Sequence, residues 1–300
     1  MLLSSKLAFA AAFMALSIAP WPELLSEPDA RAANRVRVLW VAPDLRHPGQ
    51  YSFAHVRGHK RYDRALACLP LTAFGDGVAL GGVQVRRAIK AEGEGACVFP
   101  DRLEFKGADP KFPERGVFVA AFDLNPGARY SRREASAQER DGLFEAATAL
   151  TRSADFDLDA ARVIGEVRRT GVNTAKGRHR SGLDIFVDRD RPGLRWALMT
   201  LDAALPATRN GSPEQVDALV LFVSDDGQPW RSLFARGDST CTDCDDRPVH
   251  KRFVDFGDVD RDGHPDFLFE LSYDKGWSYG LLQSDRGDWK QEWMGGGGGC

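Results

Sequence analysis

The sequence predicts a mainly β protein, all-β to α+β, with one central helical segment. Three observations predict it. From residue 182 onward, short apolar runs alternate with Asp, Gly and Pro turn signals at the spacing of a β-meander. Only residues 136–170 place apolar residues at helical spacing. A content of 43% hydrophobic and 28% charged residues in 300 is that of a globular chain with a sizeable core. The net charge of −3 supplies no overall basic field, so nucleic acid is not an expected partner.

Residues 1–32 read as a secretory signal peptide. Lys6 precedes an apolar run from Leu7 to Ala19, and a polar stretch then ends in Ala30-Arg31-Ala32. The run is shorter than the ~20 residues a membrane-spanning helix needs. Cleavage behind Ala32 would leave a secreted or periplasmic chain with no transmembrane helix. Residues 33–175 are expected to form a β-rich N-terminal region. Within it, 35–41 (RVRVLWV) and 116–124 (GVFVAAFDL) read as strands, and the Gly-rich stretch 71–100 reads as short strands with tight turns. In the helical segment 136–170, Ser136 and Glu139 have capping-box spacing. Leu143, Phe144, Ala147 and Leu150 share a face, Asp157 is placed to cap a second helix, and Gly171 to end it.

Residues 176–294 are expected to form the meander, with strands at 183–187, 194–201, 217–223, 230–235, 251–256, 266–273, 277–283 and 288–293. Asp190, Asp226 and Asp262 recur every 36 residues, each after an apolar strand and near a proline, the spacing of blade-like repeats. Residues 295–300, a glycine run ending in Cys300, have linker composition. The five cysteines of an exported chain favour disulfides, and five leaves one over. Cys68 with Cys97 is the preferred pair, Cys241 and Cys244 pair locally or share Cys300, and Cys300 is a candidate for an intermolecular disulfide.

The strongest motif is Asp258-Val-Asp260-Arg-Asp262-Gly263-His264-Pro-Asp266. Carboxylates at loop positions 1, 3, 5 and 9, a glycine at 6 and the His264 carbonyl at 7 make a cage of hard oxygens suited to Ca²⁺. Four carboxylates so close repel one another without a cation. Position 12 is Phe269, and both flanks are strand-like, which sets the loop apart from a helix–loop–helix EF-hand. Over residues 251–293, Phe256-Gly257-Asp258 through Asp266-Phe-Leu-Phe resembles the FG-GAP/VCBS repeat of integrin-alpha-like β-propellers. That resemblance implies a blade-like fold, bound Ca²⁺ and a role in adhesion or recognition.

Other motifs fail on context. Gly276-Trp-Ser278-Tyr-Gly280 matches a nucleophile elbow, but every histidine precedes it and strand follows it. His55 and His59 have the spacing of a zinc helix without its glutamate, and Gly58 weakens the helix. Cys241 and Cys244 with His250 contain the start of a zinc knuckle but no second cysteine pair. The expected function is therefore a secreted, calcium-binding, non-catalytic binding or structural module with an extracellular protein or polysaccharide partner. The competing expectation is an exported hydrolase with catalytic groups in 33–175, where Asp44, Asp63 and Asp123 would have to gather near His55 or His59.

Overall fold

The computed structural model describes residues 36–44, 46–58, 70–76, 78–90, 101–107, 111–114, 116–121, 129–171, 181–207, 213–241, 249–260, 262–273 and 276–299. The expected signal peptide lies outside them, as do Cys68, Cys97, Cys244 and Cys300. Cys241 is the one described cysteine; it is disulfide-bonded, and its partner lies outside the described residues. No helix among the described residues is long and apolar enough to cross a membrane.

The protein is mainly β. Strands β1 (Val36–Pro43), β2 (Tyr51–Gly58), β3 (Pro70–Gly75), β4 (Val78–Ile89), β5 (Arg102–Phe105) and β6 (Val117–Ala121) close a barrel in the order β1-β2-β5-β4-β3-β6. Alternation of side chains along a strand sends Leu39, Val41, Val117 and Val119 into the barrel, against Phe53, Val85 and Leu103. The residues between them, Val38, Trp40, Phe118 and Ala120, point out of the barrel yet are also buried. Both faces of β1 and β6 are therefore covered, which is why VLWVA at 38–42 and VFVAA at 117–121 are unbroken apolar runs.

The outer face of the barrel rests on a four-stranded meander of β12 (His250–Gly257), β13 (Asp266–Tyr273), β14 (Gly276–Asp285) and β15 (Asp288–Gly299). Val254, Leu268, Tyr279 and Leu281 meet Trp40 and Phe118 there. The opposite face of this sheet, with Phe256, Phe267, Phe269 and Leu282, packs on Phe186, Trp196, Leu198, Leu219 and Leu221 of a second sheet. That sheet runs β11-β10-β9-β8-β7, from β7 (Tyr130–Glu134), β8 (Gly182–Asp188), β9 (Arg195–Leu205), β10 (Glu214–Ser224) and β11 (Arg231–Cys241). Its far face is covered by helices α1 (Ala137–Thr148) and α2 (Ala160–Thr170), through Leu143, Phe144, Val163, Ile164 and Val167. The order through the molecule is helices, five-stranded sheet, four-stranded sheet, barrel.

Several expectations change. The stretch 136–170 forms the two expected helices, with one cap changed. Ser136 and Glu139 do form a capping box on α1, but α2 is capped by Asp159, whose carboxylate accepts the Arg162 amide, and not by Asp157. Asp157 instead faces Arg152 at 3.6 Å. The glycine run is not a linker: β15 continues through it, with Gly295 opposite Tyr279 and Gly299 opposite Gly276, because ladder pairing needs backbone alone. The division expected at 175/176 crosses a sheet, since β7 pairs with β8 from Tyr130↔Asp188 to Glu134↔Asp184. The described residues form two open sheets and a closed barrel, not a ring of blades. The 36-residue recurrence falls on alternate hairpins: Asp190 between β8 and β9, Asp226 between β10 and β11, Asp262 between β12 and β13. Two strands and two turns of a meander set that interval.

Candidate metal centre

The acidic loop joins β12 to β13 and is pinched at its base by the Gly257↔Asp266 pair. Each carboxylate in it organises the backbone. Asp258 Oδ2 accepts the Gly263 amide at 3.2 Å, Asp260 Oδ1 the Asp262 amide at 3.1 Å, and Asp262 Oδ1 the His264 amide at 2.8 Å. Such side-chain-to-backbone bonds curl a short loop inward. Gly263 has φ 86°, a left-handed turn that glycine adopts without strain. A Cβ there would also stand 3.0 Å from Arg129 Nη1.

Asp258, Asp260 and Asp262 each bring one carboxylate oxygen to within 4.8 Å of the others. Oxygens bound to one Ca²⁺ at 2.3–2.6 Å lie at most about 5 Å apart, so the three fit a single ion. Asp266 does not join that group. It is buried, and its Oδ2 accepts the Val259 amide at 2.7 Å, fastening the neck of the loop. The His264 ring stands edge-on to Trp196 at 6.3 Å and to Trp289 at 6.1 Å, so its backbone carbonyl is the atom with which it would reach a cation.

Neighbours that the sequence did not single out complete the surroundings. Arg129 bonds Asp188 Oδ2 through Nε at 3.1 Å and Nη2 at 2.8 Å, and its flank packs on Gly263. Asp188 also accepts the Asp190 amide at 2.9 Å. Burial alone would raise its pKa, but the Arg129 bond and the amides outweigh that and hold it below the usual carboxylate range. Tyr130 is fully buried, and its hydroxyl has no hydrogen-bond partner among the described residues. Burial pushes its phenol well above the ordinary pKa, and the negative charge of Asp258 adds to the push. A buried hydroxyl without such a partner beside a carboxylate cluster fits an ordered water or a hydrated cation. The donors are all hard oxygens, and the set fits Ca²⁺.

No protein-family model, no curated protein and no solved structure matches this chain.

Of the residues of the hydrolase expectation, Asp44 alone has its side chain among the described residues. Asp63, Asp123 and His59 lie outside the described residues, and the side chain of His55 does too. Asp44 meets His47 Nδ1 at 3.1 Å and Arg102 Nη1 at 3.9 Å. Ser278 is buried as the third residue of β14, opposite Leu271, within a strand rather than at a strand-to-helix turn, so no nucleophile elbow exists there. Trp277 and Trp289 pack on Tyr279 and Phe267 and belong to the cores. Arg168 of α2 lies over the Phe144 ring at 5.2 Å.

Proposed function

We propose that this chain is a calcium-binding, non-catalytic module of the cell exterior. The observation that carries the reading is the convergence of Asp258, Asp260 and Asp262 in a loop between two strands of a sheet packed on both faces. An ion held there joins the ends of β12 and β13 and relieves the repulsion among the carboxylates. Its role is stability, and through it the presentation of the neighbouring surface to an extracellular protein or polysaccharide. The likeness of residues 251–293 to an FG-GAP/VCBS repeat and the signal-like residues 1–32 support the same reading.

The test is thermal unfolding of residues 33–300 in calcium and in chelator, for wild type and Asp260→Ala. A ligand at 100 times its Kd, bound only by the folded state, adds about 2.7 kcal/mol. At roughly 2–4 °C per kcal/mol, the melting temperature rises by about 5–10 °C. The variant is expected to lose that rise. No rise in wild type at millimolar calcium overturns the proposal.

A further inference from the structure

A second cluster lies at the other end of the same sheets. Asp202 on β9, Asp217 on β10 and Asp238 on β11 form a row, each directly opposite the next. Like charges so placed destabilise a sheet unless cations meet them. Strand β12 of the facing sheet supplies two. Lys251 Nζ bonds Asp217 Oδ1 at 2.7 Å and reaches Asp238 at 4.0 Å, while its backbone amide bonds Asp217 Oδ2 at 3.0 Å. On the other carboxylate, Gln215 Nε2 bonds Asp202 Oδ1 at 2.6 Å. These contacts fix both carboxylates with their Oδ2 atoms toward His250. The calcium loop is eight residues farther along β12, about 25 Å away.

His250 Nδ1 stands 3.5 Å from Asp202 Oδ2 and 3.7 Å from Asp217 Oδ2, and makes no well-formed hydrogen bond. Charge-assisted N–H···O bonds are about 2.7–2.9 Å long, so these separations are too great for a seated ion pair. They are close to the edge of a tetrahedron with metal bonds of about 2.0–2.2 Å, which is about 3.3–3.6 Å. Gln215 and Lys251 hold the carboxylates in the manner of outer-sphere groups around a metal. An imidazole with two carboxylates suits zinc and its neighbours better than calcium. The half-exposed face of His250 leaves a fourth position for water.

We propose that Asp202, Asp217 and His250 form a zinc-type divalent metal site that links the five-stranded to the four-stranded sheet. The site is independent of the calcium loop.

The experiment is calorimetric titration of the disulfide-intact, calcium-saturated full chain with Zn²⁺, and absorption spectroscopy with Co²⁺. The expected result is one Zn²⁺ bound well below millimolar, with the visible bands of tetrahedral Co²⁺. Asp202→Asn and His250→Ala should each weaken binding by about 100-fold or more, since even outer-sphere changes weaken it about 10–100-fold. Asp260→Ala should leave it unchanged, which separates this site from the calcium loop. No binding below millimolar in wild type overturns the proposal, as does tight binding that survives both His250→Ala and Asp202→Asn.

Discussion

Replacing Lys251 by methionine tests how the two sheets are clamped. Methionine keeps most of the volume and removes the charge. The Lys251 and Asp217 side chains are 4% and 2% exposed and bonded at 2.7 Å, so the change strands a carboxylate in the interior. Breaking a buried pair by removing one partner costs about 3–5 kcal/mol. The lower end applies here, because the Lys251 amide at 3.0 Å remains and the His250 ring stays within 3.7 Å. At roughly 2–4 °C per kcal/mol, a loss of about 3 kcal/mol lowers the melting temperature by about 6–12 °C. The assay is calorimetry in calcium with zinc excluded. The double variant Lys251→Met/Asp217→Leu removes both charges, and most of the loss should return, since well-packed apolar replacements of buried pairs are often neutral or better. A single variant within about 1 °C of wild type would refute the reasoning, and so would a double variant less stable than the single one.

Glu139 is bonded by Arg133 through both oxygens, caps α1 through Ser136, and has its pKa lowered to about 2 by Arg133 foremost. Its stabilisation is therefore complete above the ordinary value near 4.5 and disappears as pH falls toward 2; Glu139→Gln should flatten that part of the stability–pH curve, measured by urea unfolding. Gly116→Ala should cost about 2–4 kcal/mol, because a Cβ would sit 2.6 Å from the Val41 carbonyl and 2.7 Å from the Trp40 ring at φ +97°; near-wild-type melting would contradict the packing of β1 on β6. Tyr130→Phe removes a buried hydroxyl with no partner among the described residues. Melting in chelator should change by less than about 2 °C, while the calcium-induced rise shrinks; an unchanged rise would separate Tyr130 from the ion.

Legibility followed the range of the interactions. The strand expected at 266–273 is Asp266–Tyr273, and the capping box at Ser136 formed as spaced, because alternation and caps are local signals. The acidic loop was legible for the same reason, since its residues are neighbours in the chain. Barrel closure was not, because β1 meets β6 across most of the N-terminal region. Arg129 and Tyr130 reach the loop from β7 and the turn before it, with no pattern in their own segment to mark them. His250 was noticed in the company of Cys241 and Cys244, yet its neighbours in space are Asp202 and Asp217, supplied by the middle of two long strands. Asp202 lies just past the strand expected at 194–201 and Asp217 opens the one expected at 217–223, so no local pattern joins them.

The four-stranded sheet is an inner layer whose strands all follow, in the chain, those of the two layers it separates. Until residue 250 has emerged, the outward face of the barrel, with Trp40 and Phe118, and the inward face of the five-stranded sheet, with Phe186 and Trp196, have nothing to cover them. Emerging chain with uncovered apolar faces is prone to misassembly, so order of synthesis and order of packing are opposed here. A passage that keeps the polypeptide extended until its final strands have cleared would remove that conflict. Termination before β12 would not produce a smaller version of the molecule; it would produce two halves with no filling between them.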